Sequence, residues 1–240
     1  MSLVWLQRLT LALCLSALSA PARAQDQDSA AAPVDLEKQR VLGVLPNNRT
    51  TDGTVPFAPI SAGRKMVIAW KDSTDYPVYP TAAIFASIYQ LENQNPSFGQ
   101  GMKGYSKRFL AAYGDQVLGN LFTEGIVPVM THEDPRYFRQ GPGYGTTRHR
   151  IVYAMTRIFV TRTDTGHNTL NLSEILGSSM AVAASNLYYP DTRTARDNIA
   201  KLGVQLGTDA LSYVLKEVWP DVVQHFKQKK SAKAAAPPHH

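Results

Sequence analysis

The densest run of reactive side chains in this chain is Thr131-His132-Glu133-Asp134-Pro135-Arg136-Tyr137-Phe138-Arg139. A histidine beside two carboxylates could move protons in acid–base catalysis. Arg136 and Arg139 could hold an anionic group. Glu124, one or two turns upstream, joins His132, Glu133 and Asp134 as a candidate acid–base set for a hydrolase. The pattern is not H-E-x-x-H, because Arg136 stands where the second histidine is required, so a zinc protease is excluded. The residue types favour a plainer reading: a loop ending a helix, with Asp134 capping a turn and the arginines paired locally.

A second candidate is Gly99-Gln100-Gly101-Met102-Lys103-Gly104, which matches G-x-G-x-x-G. No strand precedes it and no strand–helix alternation surrounds it, so it is not a dinucleotide fingerprint. Free amides at this helix start, around Gly101 and Gly104 with Lys103 nearby, could take a phosphate or carboxylate. The plainer reading is a glycine turn that lets helices approach closely. His132, His149 and His167 show no helical ligand spacing, and no residue set calls for a metal or cofactor. Neither a G-x-S-x-G elbow nor a Walker loop is present.

These groups must be positioned by helices. Apolar periodicity predicts helices over 81–93, 105–126, 150–161, 173–187 and 192–218, hence an all-α bundle of about five helices. Residues 65–71 are too short an apolar run to assign. Pro128 is expected to kink or end the second helix, and Ser173 to cap the fourth. Two stripes are polar: Gln116, Asn120, Thr123 and Glu124 on the second helix, and Asp197, Lys201, Gln205, Thr208, Ser212 and Lys216 on the fifth. The rest of the fifth helix is apolar, an arc wide enough to need several neighbours, or lipid on one side. Gly203 and Gly207 on it lie one turn apart, which predicts a close helix contact with Leu206 in the core. Residues 161–168 read as a polar loop turning at Thr165-Gly166.

The chain begins with an address. Arg8, an apolar run from Leu9 to Ala20, and Ala22-Arg23-Ala24 together read as a cleaved signal peptide over 1–24. Residues 25–60 read as a flexible leader, 61–226 as the helical domain and 227–240 as a disordered tail. The one cysteine, Cys14, leaves with the signal, so the mature chain has neither disulfide nor thiolate site. The formal charge of +6 is concentrated at the ends, and residues 25–226 carry 19 basic and 19 acidic side chains. A neutral body argues against a nucleic-acid partner. The terminal lysines permit attraction to an anionic membrane surface or envelope lipid.

Several segments together resemble a family of uncharacterised exported bacterial proteins: Val44-Leu45-Pro46-Asn47, Phe98-Gly99-Gln100-Gly101, Ala112-Tyr113-Gly114-Asp115, His132 to Tyr137, Thr161-Arg162-Thr163-Asp164 and Asp209-Ala210-Leu211-Ser212. The resemblance spans residues 41–222. It implies a shared fold and a bacterial envelope location, the periplasm or the periphery of the outer envelope, and no activity. The sequence thus supports two readings. One is a non-catalytic envelope bundle, associated with a membrane. The other is an envelope hydrolase of lipid or cell-wall polymer working through His132, Glu133 and Asp134.

Overall fold

The structure, a computed structural model, describes residues 49–54 and 56–235, with side chains of 227 and 229–235 left aside. The signal peptide, most of the leader and the last residues of the tail lie outside the described residues.

Helix α1 (Ala62–Thr74) starts at Ser61, whose hydroxyl accepts from the Arg64 N–H. Lys65, Ile68, Ala69, Asp72 and Ser73 face inward, at helical spacing. Helices α2 (Val78–Leu91) and α3 (Gly101–Asn120) form a hairpin. Its connection uses left-handed residues at Asn93, Asn95, Gly99 and Gly101. The loop points carbonyls inward, and buried Arg108 collects them. It donates to Gln94 O, Asn95 O and Gly99 O, and also to Gln90 Oε1.

Where α3 nears Pro128 the helix widens instead of kinking. Residues Leu121–Ile126 form a π-turn, and the Val127 N–H reaches back to the Phe122 carbonyl. Pro128 has no N–H to continue the ordinary ladder. A π-turn inserts one residue and rotates its neighbours; here Thr123, Glu124 and Gly125 are turned into the interior. Helix α4 (Val127–Thr131) follows and ends at left-handed His132. Lys65 Nζ binds the buried carbonyl of Pro128 at 3.0 Å, a cation at a helix C-terminus, and pairs with Asp164.

The architecture is mostly helical, as the sequence predicts, with two small sheets added to the helices. Strand β1 (Thr50–Asp52) pairs parallel with β3 (Tyr137–Arg139), while β2 (Glu133–Asp134), β4 (Val160–Thr163) and β5 (Asn168–Leu170) pair antiparallel in the order β2-β4-β5. The polar loop over 161–168 is therefore a hairpin, and the helix expected to run to 161 stops early. Helix α5 (Thr147–Thr156) gives way to Val160, Thr161 and Thr163, whose β-branched side chains suit a strand. The leader is also not flexible from end to end, because Arg49 and Thr50 are buried and Phe57 packs against Phe138.

Helix α6 (Leu172–Ser185) is capped by Asn171, which accepts from the Glu174 N–H; Ser173 is not the cap. Helix α7 (Ala195–Ala235) continues through Pro220 well past residue 218, so residues 227–235 are helical rather than tail. Pro220 leaves the Lys216 carbonyl without its ladder donor, and side chains gather at the next residue along. The Glu217 carbonyl accepts from Arg139 Nε and Arg150 Nη2. The Glu217 carboxylate takes the Tyr137 hydroxyl, Arg150 Nε, and the N–H groups of Gln140 and Gly141. This hub joins α7 to α5 and β3. Beside it lies an apolar cluster of Tyr137, Ala154, Ile158 and Tyr213, against which Leu206 packs.

The glycine expectation fails, and Leu206 is half-buried against the core cluster rather than inside it. A Cβ on Gly203 or Gly207 would meet nothing within 4 Å. The close approaches lie elsewhere: at Gly104, whose Cβ would sit 2.2 Å from the Gly99 carbonyl oxygen, and at Gly177, 2.9 Å from Thr123 Cα.

Polarity is partly inverted. The largest fully buried side chains include Arg108, Lys65, Glu217 and Asp134, whereas Trp70, Ile84, Leu91, Met102, Leu110 and Leu187 are exposed. No described helix is long and apolar enough to cross a membrane.

Candidate functional site

The His132 cluster does not converge. His132 turns outward, with 84 % of its side chain exposed. Glu133 points the other way and accepts from the N–H groups of Leu172 and Ser173 and from the Ser173 hydroxyl, holding the start of α6. Asp134 is buried and clasps Arg136 through both oxygens, while its Oδ1 also takes the Arg136 N–H. Glu124 lies inside the bundle, paired with Arg49. The acid–base set read from the sequence is therefore divided among three structural tasks, which removes the basis for a hydrolase at this cluster. The plainer reading holds for Asp134, which closes a turn with Arg136, but not for Arg139, which pairs with Asp221 on α7.

The anion candidates are also dispersed. Arg139 pairs with Asp221 and braces α7. Arg136 is held by Asp134 and the Ala58 carbonyl. Lys103 and Gly101 are exposed at the start of α3, and buried Gly104 is pressed against the Gly99 carbonyl, a contact that only glycine allows. His149 and His167 are exposed at separate helix and hairpin positions.

The two polar stripes do meet. A cleft of about 160 Å³ opens between α2, α3, α6 and α7. From α3 come Asp115, Gln116 and Asn120; from α7 come Lys201, Gln205, Thr208 and Asp209. Phe85 and Tyr89 of α2 and Ala181 and Val182 of α6 supply apolar wall. Small residues make the space, since Ala112, Ala181 and Ala200 line it where larger chains would fill it.

One end of the cleft is internally satisfied. Asp115 takes the Tyr188 and Tyr189 hydroxyls at 2.6 and 2.7 Å. Lys201 donates to the Thr192 carbonyl and to Asn186 Oδ1, and stacks on the Tyr189 ring. Burial raises the Asp115 carboxyl above its usual range and lowers the Lys201 ammonium.

The other end leads to a buried set of charges. Asp209 lines the cleft and receives Gln205 Nε2 at 2.9 Å. Next to it, on the protein side, stands Glu174 of α6, which is 3 % exposed. Tyr213 donates to Glu174 Oε2, but Glu174 Oε1 has no donor among the described residues. Its neighbour Asp209 is another carboxylate, which opposes the charge of Glu174. Burial, then Asp209, pushes the Glu174 carboxyl well above the ordinary range.

Behind this pair, Arg49 reaches in from ahead of β1. It bonds Glu124 at 2.6 Å and lies over the Tyr213 ring. Burial pushes Glu124 up to about 8 against the pull of Arg49, and Glu124 Oε2 is also without a donor among the described residues. Lys216 of α7 is buried in the same region and is lowered to about 8, by burial first and then by Arg49. Glu124 is the one residue of the sequence-derived site set that belongs here. Arg49, Asp115, Glu174, Asp209, Tyr213 and Lys216 were not singled out as site residues. Of these the polar stripes hold only Lys216; what the stripes mark, read as facing one another, is the cleft wall of Gln116, Asn120, Lys201, Gln205 and Thr208.

No family model, curated protein or solved structure matches this chain.

Proposed function

We propose that this chain is a non-catalytic binding protein of the bacterial envelope, holding a small polar ligand in the α2–α3–α6–α7 cleft. The supporting observation is that two polar helix stripes, with Gln116 and Asn120 on one side and Lys201, Gln205 and Thr208 on the other, enclose a cleft beside the Asp209 carboxylate. The signal-like first 24 residues and the resemblance to exported proteins support the envelope location. The test is a melting-temperature screen of the mature protein against small charged and neutral compounds. Ligands of the cleft should raise the melting temperature of the native protein and not that of Ala200→Phe, in which the added ring fills the space. Equal shifts in both would place binding elsewhere.

A second reading, association with a membrane surface, rests on α1. Its outer face exposes Met66, Val67 and Trp70 between exposed Arg64 and Lys71. An apolar face with tryptophan and flanking basic residues is the composition of an interfacial helix.

A further inference from the structure

We propose that a second cavity, where α5 meets β3 and β4, binds a small phosphate monoester between the guanidinium groups of Arg157 and Arg162. It shares no lining residue with the α2–α3–α6–α7 cleft, so the two sites stand or fall separately.

The cavity measures about 170 Å³. Arg157 enters it from the C-terminal end of α5 and Arg162 from β4. Gln140 and Tyr144, from the segment after β3, and Asn168 of β5 complete the polar part of its lining.

The way the two arginines are held decides what they can do. The Arg157 guanidinium lies over the Tyr153 ring, 4.5 Å from its centre, and that of Arg162 over the Phe138 ring at 4.2 Å. Stacking occupies the face of a guanidinium and leaves its edge N–H groups to bond elsewhere. The two rings belong to one wall, since the Tyr153 hydroxyl donates to the Phe138 carbonyl at 2.8 Å. Both cations are thus oriented without spending a donor. Among the described residues neither guanidinium has an ion-pair or hydrogen-bond partner, and Arg157 Nε is buried without an acceptor. Buried donors ordinarily find one.

Charge selects a dianion. No carboxylate lines the cavity. Asp134 pairs with Arg162 across the sheet through the backbone, yet its carboxylate clasps Arg136. Glu217 is taken by Tyr137, Arg150 and the N–H groups of Gln140 and Gly141. Two cations therefore remain to be neutralised. A phosphate monoester carries a charge of about −1.5 to −2 at pH 7, where a carboxylate brings one. Its oxygens also match the guanidinium fork. Gln140 Oε1 is buried without a donor, and its amide can turn to offer N–H groups instead. The rings of Tyr144 and Tyr153 give the ester's carbon an apolar surface. A cavity near 150 Å³ holds a molecule of about benzene's size, so the ester is compact.

The test is isothermal titration calorimetry of the full mature protein near pH 7 and at low salt, with phenyl phosphate, inorganic phosphate, benzoate and phenol. Phenyl phosphate should bind at one site, roughly tenfold or more tighter than each of the other three. Arg157→Lys and Arg162→Lys keep the charge but lose the fork and the stacked plane, and each should weaken phenyl phosphate about fivefold or more. Ala200→Phe, which fills the other cleft, should leave this affinity unchanged. A wild-type measurement stands even if a lysine variant folds poorly: phenyl phosphate should protect Arg157 and Arg162, and not exposed Arg148, from modification by phenylglyoxal. Equal affinity for benzoate would overturn the phosphate assignment, and equal affinity for inorganic phosphate the ester. Loss of binding in Ala200→Phe would move the ligand to the other cleft. No binding of phenyl phosphate, unchanged affinity in both lysine variants, or no protection of the two arginines would overturn the site itself.

Discussion

Arg49 and Glu124, seventy-five positions apart, form an ion pair at 2.6 Å with each side chain 5 % exposed. The pair fastens the segment before β1 to the π-turn and brings a fixed positive charge behind the Glu174–Asp209 contact. Burial keeps Glu124 protonated below about pH 8, so removing Arg49 takes away the donor to Oε1 and leaves a buried acceptor unsatisfied, which costs about 1–3 kcal/mol. Arg49→Ala should therefore lower stability by about that amount in urea titration. An effect under about 1 kcal/mol would mean that the pair carries little of the fold.

The same site predicts an unusual pH profile. Glu124 ionises near 4.5 in an unfolded chain and near 8 in the fold, where burial opposes its charge. Between these values the native state holds the extra proton, so this group's contribution to stability falls as pH rises from about 4.5 to 8. The slope for one proton is at most about 1.4 kcal/mol per pH unit. Lys216 has the opposite sign. Lowered from 10.5 to about 8, it lets the unfolded chain hold the extra proton above pH 8, so its contribution rises there. Urea midpoints of wild type and Glu124→Gln, compared from pH 5 to 10, should converge in slope only above pH 8. Parallel profiles throughout would remove Glu124 as the source.

Glycines give a test of the packing. Gly203→Ala and Gly207→Ala should each stabilise by about 0.5–1 kcal/mol, since helix propensity improves and nothing is met within 4 Å. Gly104→Ala and Gly177→Ala should destabilise, because backbone atoms of Gly99 and Thr123 occupy the space a methyl needs. Thermal melts of the four variants should thus divide two and two.

Glu133 and His132 separate a structural from a catalytic reading of their cluster. Glu133→Gln removes a charge that holds the two N–H groups opening α6, and should cost about 1–3 kcal/mol. His132→Asn should leave stability nearly unchanged, because the side chain is exposed and asparagine tolerates its left-handed backbone. Chemical denaturation of both variants checks this. Comparable losses in both would contradict the assignment.

The helices were legible because α2, α3, α5, α6 and α7 carry long apolar periodicities. Their boundaries were less so. The π-turn follows from Pro128, but only the fold shows that the helix widens there rather than breaks. The hairpin of β4 and β5 was missed because three or four residues per strand give too little alternation to read. The cleft was half legible. Gln116 and Asn120, and Lys201, Gln205 and Thr208, stood out as stripes, yet a polar stripe ordinarily faces water, so their turning inward could not be read from either helix alone. Arg49 was beyond reach, since a single arginine in a polar leader gives no sign of burial. Gly203 and Gly207 misled because spacing records where an approach is permitted, not where a neighbour stands.

The α1 surface makes a separate prediction about membranes. Trp70 is 68 % exposed, with Met66 and Val67 beside it. In flotation with vesicles containing anionic lipid, the mature protein should rise with the lipid at low salt, and Trp70→Glu should remain below. Identical behaviour of the two proteins would exclude α1 as the contact.

The central claim, that the cleft is where this protein binds, is tested most directly by mapping amide resonances of the native protein during titration with the compound that raises its melting temperature most. The account predicts saturable shifts that concentrate on Gln116, Asn120, Gln205, Thr208 and Asp209 and vanish in Ala200→Phe. Shifts spread over the exposed surface, or unchanged by the filled cleft, would contradict it.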